Sequence, residues 1–236
     1  MNTQIPTEVY LTFLDRTIPA HWHYHALLMS AAWFVLVPAG IIAVRFFKAA
    51  PRPFGLDKTG IGSFHPKLLC WTLHYIFLYL AIGLALLGFV VAVVVSRGFS
   101  GSMHALWGIA ATLFGCLQII SAWNRGTHGG KYGAGADPND PNTWGGDHFD
   151  MTPRRRWFEA YHKTAGYFSL TLALGAVASG LMQYWVPSVA IGLGLAWLGL
   201  LVTFVTLEGK GFRRDTYHSV YGTHPDLPFN RRREGQ

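Results

Sequence analysis

Four stretches of the chain contain no Asp, Glu, Lys or Arg. Ala26 to Val44 is 19 residues, Leu68 to Ser96 is 29, Gly98 to Asn124 is 27, and Thr164 to Leu207 is 44. A helix crossing about 30 Å of hydrocarbon needs about 20 such residues. The longest run would make a helix of about 66 Å, at about 1.5 Å per residue, which is twice the membrane thickness. Pro187, with the interfacial aromatics Tyr184 and Trp185 before it, marks where that run turns back. The pattern predicts five transmembrane helices, 25–47, 67–96, 103–124, 161–184 and 187–207. The fold class is therefore an all-α integral membrane protein. Three polar parts complete it: an N-terminal segment 1–24 with no signal-peptide layout, an irregular loop 125–157 rich in Gly, Asp, Asn and Pro, and a basic tail 208–236. The tail is expected to lie along the headgroups.

Composition removes the main rivals. Apolar residues make up 51% of the 236-residue chain and charged residues 13%, about half the ~25% usual in soluble domains. Mean hydropathy is +0.26. The net charge of +7 comes in clusters rather than in a stripe, so no nucleic-acid partner is expected. Cys70 and Cys116 both lie inside apolar runs, which excludes a disulfide scaffold. No Cys-x-x-Cys-His occurs, so covalent haem attachment is excluded too. Gly129 to Gly135 has the composition of a nucleotide-binding loop, but no strand precedes it and no amphipathic helix follows, so it reads as flexible loop.

The basic residues also set the orientation. Alternate connections hold 2 and 17 of the 19 Lys and Arg. Because cytoplasmic loops retain them, the N-terminus is expected outside and the C-terminus in the cytoplasm. If the protein is bacterial, the membrane would be the inner one.

Ionisable residues at membrane depth are costly and point to function. Each of the first four predicted helices has one histidine: His25, His74, His104 and His162. Helix direction alternates, so His25 and His104 share the outer leaflet and His74 and His162 the inner one. A lone histidine at a helix end is usually just interfacial. Four, one per successive helix and level in pairs, suit the two axial ligands of each of two haems b, held in a four-helix bundle. Zinc would want a third or fourth protein ligand. Gly108 and Gly166 each follow a histidine by four residues and leave room for a flat macrocycle on the same face. Gly115, about three turns beyond His104, is a further place where a haem could pack. The other histidines default to solvated positions. Among them His21 and His23, with Trp22 and Tyr24, would be an outer metal or acceptor site, and either histidine could replace His25 as ligand.

Several stretches together resemble the cytochrome b561 family of the eukaryotic type. They are His25-Ala-Leu-Leu-Met29 leading to Pro38-Ala-Gly-Ile-Ile-Ala-Val-Arg45, then Trp71-Thr-Leu-His74. Next come Met103-His104-Ala-Leu-Trp-Gly108 with Gln118, and Tyr161-His162-Lys-Thr-Ala-Gly166-Tyr167. The helix 1 pattern looks closest to members carrying a DOMON domain, although no such domain is recognisable here. The resemblance covers about residues 20–207 and implies the same ligand pairs, His25 with His104 and His74 with His162. It implies single-electron transfer across the membrane through two haems b, from a donor such as cytoplasmic ascorbate to an acceptor such as ferric iron. Arg45 matches the family's arginine at the inner end of helix 1, associated with the inner haem and the reductant side.

The chain is thus expected to be a transmembrane oxidoreductase serving small-molecule or protein donors and acceptors. The alternative is a haem-bearing anchor, an electron-relay subunit of a larger complex or of a quinone-linked oxidoreductase. The expected partners are membrane lipid and the electron donor and acceptor, with a second copy or a larger complex as the protein assembly.

Overall fold

The computed structural model describes residues 8–19, 22–55, 69–125, 135–137, 139–143, 153–226 and 230. The chain is an all-α membrane protein, and among the described residues five helices are long and apolar enough to cross a membrane. These are α1 (Trp22–Phe46), α2 (Leu69–Ser96), α3 (Met103–Trp123), α4 (Pro153–Gln183) and α5 (Pro187–Gly209). A short α6 (Thr216–Val220) follows. Most of α5's large apolar side chains, Leu195, Leu201 and Val205 among them, are exposed, and the helix buries no residue. Such a surface belongs in lipid, which solvates apolar side chains while the helix satisfies its own backbone.

Local chemistry sets several helix boundaries. Ser102 caps α3, its hydroxyl accepting from the Ala105 N–H at 3.2 Å. In α1 the stretch Ala31–Leu36 widens into a π-helix just ahead of Pro38. Proline lacks the N–H for an ordinary i→i−4 bond and its ring crowds the preceding turn, so the helix accommodates it by local widening. Helix α4 begins at Pro153, eight residues before the predicted start, so the last part of the predicted irregular loop is helical and His162 lies inside the helix. Charge-based span counting stops at arginines. Here Arg155 and Lys163 both pair with Glu159, at 3.3 and 3.5 Å, and carry the helix onward.

By internal contacts the chain divides into two units. The first comprises residues 1–38, 77–118 and 165–199, and the second residues 39–76, 119–164 and 200–236. In the first, buried Ala111, Leu172 and Ala173 pack with Trp33, Trp107, Ala110 and Phe114. Gly175 is required there, since a Cβ would stand 2.9 Å from the Trp107 ring. This unit also holds a hairpin that the apolar pattern gave no sign of, β1 (Glu8–Leu11) with antiparallel β2 (Arg16–Pro19). Its turn places Asp15 at φ 48°, with the Tyr10 hydroxyl donating to the Asp15 carboxylate. Leu11 joins Trp22, Val91 and Val94 around buried Val95.

In the second unit the described part of the tail clasps the residues that follow α1. Arg214 donates to the Lys48 carbonyl at 2.6 Å while the Lys48 ammonium donates to the Arg214 carbonyl at 2.9 Å. Burial lowers the Lys48 pKa from its ordinary value, against the pull of Asp215. The N–H groups of Thr223 and His224 donate to the Arg52 and Pro53 carbonyls, and His224 stacks on Phe54 with ring centres 4.4 Å apart. Asn230, buried, donates to the Gly222 and His224 carbonyls.

Two glycines make this clasp possible. Gly55 has φ +71° and Gly222 φ +109°, and a Cβ on either would run into the opposing backbone. Gly222→Ala is therefore expected to weaken the clasp by about 1–3 kcal/mol. Limited proteolysis should then cut the chain after residue 210, while the variant still inserts in the membrane. A cleavage pattern like that of the parent would show that the clasp tolerates the change.

Candidate functional site

Both predicted histidine pairs form, one in each unit. His25 and His104 face each other in the first, with ring centres 5.8 Å apart and planes at 81°. His74 and His162 do so in the second, at 6.3 Å and 72°.

Backbone carbonyls hold the rings of His25, His74 and His104. His25 Nδ1 lies 2.9 Å from the Gly88 carbonyl, His74 Nδ1 3.0 Å from Gly40, and His104 Nδ1 2.7 Å from Ala176. A carbonyl only accepts, so each of these rings must carry its proton on Nδ1. The Nε2 lone pair is then left for a ligand, and the ring orientation is fixed, as it is for histidines that bind metals. The His162 ring lies 5.1 Å from that of Phe158 and is tilted 30° to it.

The spacing fits an iron between each pair. A metal–imidazole bond of about 2 Å on each side, plus the distance from nitrogen to ring centre, separates the ring centres by about 6 Å. The donor set also fits haem rather than a metal ion bound by protein alone. Among the described residues there is no group of three or more His, Cys, Asp or Glu able to hold one. A Cβ at Gly108 or Gly166 would meet no neighbour within 4 Å, so each helix face has open space there. Gly115 is different. A Cβ there would strike the Ile82 side chain, so the space beside this glycine is filled by Ile82.

Arg45, at the end of α1, is engaged by Glu208. Its Nε and Nη2 donate to Glu208 Oε2 at 3.3 and 3.1 Å, and Arg213 binds the other carboxylate oxygen at 3.1 Å. Sequence reasoning could place Arg45 at the helix end but had no means of finding this partner. It also missed Gly180 of α4, whose Cβ would stand 2.8 Å from His104 Nδ1. His23 and Tyr24 are exposed at the start of α1. His21, the other member of the suggested outer metal site, lies outside the described residues, as do His65, His128, His148 and the glycine run 129–134.

Five apolar helices, four of them carrying the two histidine pairs, make this a multi-pass membrane protein. Two curated proteins of Arabidopsis thaliana are similar to it. One, a cytochrome b561, DM13 and DOMON domain-containing protein, is 29% identical over 130 residues, 53% of this chain. The other, a cytochrome b561 and DOMON domain-containing protein, is 26% identical over 157 residues, 66% of this chain. The matches support a cytochrome b561-type family for the chain, as the motifs implied. The matched regions span 13% and 27% of those relatives' own lengths. No family model and no solved structure matches the chain.

Proposed function

We propose that the protein transfers single electrons across a membrane, with two haems b per chain held by the His25–His104 and His74–His162 pairs. The observation that carries this reading is the geometry of those pairs, with rings facing at haem-ligand spacing and Nδ1 of His25, His74 and His104 held by main-chain carbonyls. The cytochrome b561 names of the two relatives support it. Bound haem b would supply a reversible one-electron couple, and two histidines to each haem would favour electron transfer over oxygen binding. The chain's own residues do the rest. The Gly88, Gly40 and Ala176 carbonyls fix the imidazole tautomers, and the open faces at Gly108 and Gly166 leave space beside the ligands.

The expected orientation puts the N-terminus outside and the basic connections, with Arg45, in the cytoplasm. An anionic donor would be drawn to that side by Arg45, Lys48, Arg213 and Arg214. The ordered clasp around Lys48 and Arg214 favours a second reading, in which the chain is a relay subunit and the clasp receives a protein partner. Reduction of the purified chain by ascorbate, compared with a quinol, separates a self-sufficient oxidoreductase from a quinone-linked relay.

Arg45 provides a sharper test. Loss of a charge-assisted contact worth about 1 kcal/mol weakens an anionic donor about 5-fold, which is the expected result for Arg45→Gln with both haems retained. Glu208→Gln releases Arg45 from its carboxylate and should act in the opposite direction. Stopped-flow reduction at two ionic strengths distinguishes steering, which salt screens, from direct contact. If both variants reduce at the parental rate, Arg45 is a topology anchor only.

A further inference from the structure

The indole N–H of Trp22 is shielded from solvent and has no hydrogen-bond acceptor among the described residues. A buried donor left unpaired costs free energy, and native structures rarely keep one without a reason. Its location suggests that reason. Trp22 precedes His25 by three residues and so lies on the same helix face, one turn nearer the start of α1. Its ring meets the His25 ring edge-on at 5.8 Å and lies 6.3 Å from that of Tyr184. The polar groups of a haem b held by His25 and His104 are its two propionates, and these need donors. The unit containing this pair has only two basic residues, Arg16 and Arg97, and both are exposed. The other unit holds the remaining cations. A neutral, buried donor beside the ligand therefore fits a carboxylate that has few cations to pair with.

We propose that Trp22 is a carboxylate-binding residue of the His25–His104 site, its N–H donating to a haem propionate. The inference rests on the haem reading above. The test is Soret titration of the full chain in a His74→Ala background, which leaves the His25–His104 pair to take up haem. The probes are haem b and its dimethyl ester, which has no anionic carboxylate. Trp22→Phe should weaken haem b about 10-fold or more, because hydrogen bonds to charged groups are the stronger ones, and should change the ester less than about 2-fold. Because Trp22 also packs against buried Val95, Trp22→His serves as the second variant. It retains an N–H donor and should recover the preference for haem b over the ester. Equal weakening of both probes in Trp22→Phe, or no preference in Trp22→His, would overturn the role of Trp22 alone. Failure of the background chain to take up any haem b would instead overturn the haem reading, and this inference with it.

Discussion

His104→Ala is expected to remove one haem and leave the other. The ring has two jobs that alanine cannot do. Its Nδ1 is tied to the Ala176 carbonyl at 2.7 Å, and its ring centre stands 5.8 Å from that of His25. Without it, His25 has no opposing imidazole, and the Ala176 carbonyl loses its partner in a low-dielectric setting. His74 and His162 belong to the other unit and keep their own pairing. The purified variant should therefore hold about half the haem of the parent, with the remaining low-spin spectrum intact. His74→Ala should produce the complementary loss. The two variants should differ in which haem is reached by a membrane-impermeant oxidant added outside, and His104→Ala should lose that one. Loss of both haems from either variant would mean that the sites are not independent.

Gly180→Ala should act on the same site without touching a ligand. A methyl group there would stand 2.8 Å from His104 Nδ1 and 3.0 Å from Cε1. The ring cannot swing aside freely, because the hydrogen bond to Ala176 holds it against α4. Moving it sacrifices that bond and the orientation of the remaining nitrogen. Haem affinity at the His25–His104 pair should fall about 10-fold or more, a shift of about 1.4 kcal/mol. Gly108 supplies the contrast, since a Cβ there meets no protein atom within 4 Å. Gly108→Leu should leave the haem-free chain as stable as the parent and yet lower haem uptake, because the added side chain takes space the macrocycle needs. Thermal unfolding and haem titration of the two variants check both halves. Normal haem uptake by Gly108→Leu would put the macrocycle elsewhere.

The features legible in the sequence were those with a periodic or compositional signature. Uncharged runs located the five helices, and Pro187 located the turn between α4 and α5. One histidine per helix, combined with alternating direction, was enough to say which histidine rings lie side by side. What escaped depends on groups with no such signature. The carbonyls of Gly88, Gly40 and Ala176 are main-chain atoms, and any residue could supply them. Glycine roles depend on what lies opposite. Gly180 faces a histidine ring, Gly115 an isoleucine and Gly108 open space, although all three are single glycines in apolar helices. The arginine-rich start of α4 was hidden because charge is the signal that ends a predicted span, whereas Arg155, Glu159 and Lys163 form a ladder of pairs there. The tail read as polar and basic. Its clasp relies on main-chain bonds to residues 52 and 53, more than 160 positions earlier.

The central claim is that four histidines hold two haems in one chain. A pyridine haemochrome assay on the purified protein, normalised to protein by amino-acid analysis, measures this directly. The account predicts two haems b per chain, with a dithionite-minus-oxidised spectrum of the low-spin, six-coordinate kind. One haem per chain, or none, would contradict it.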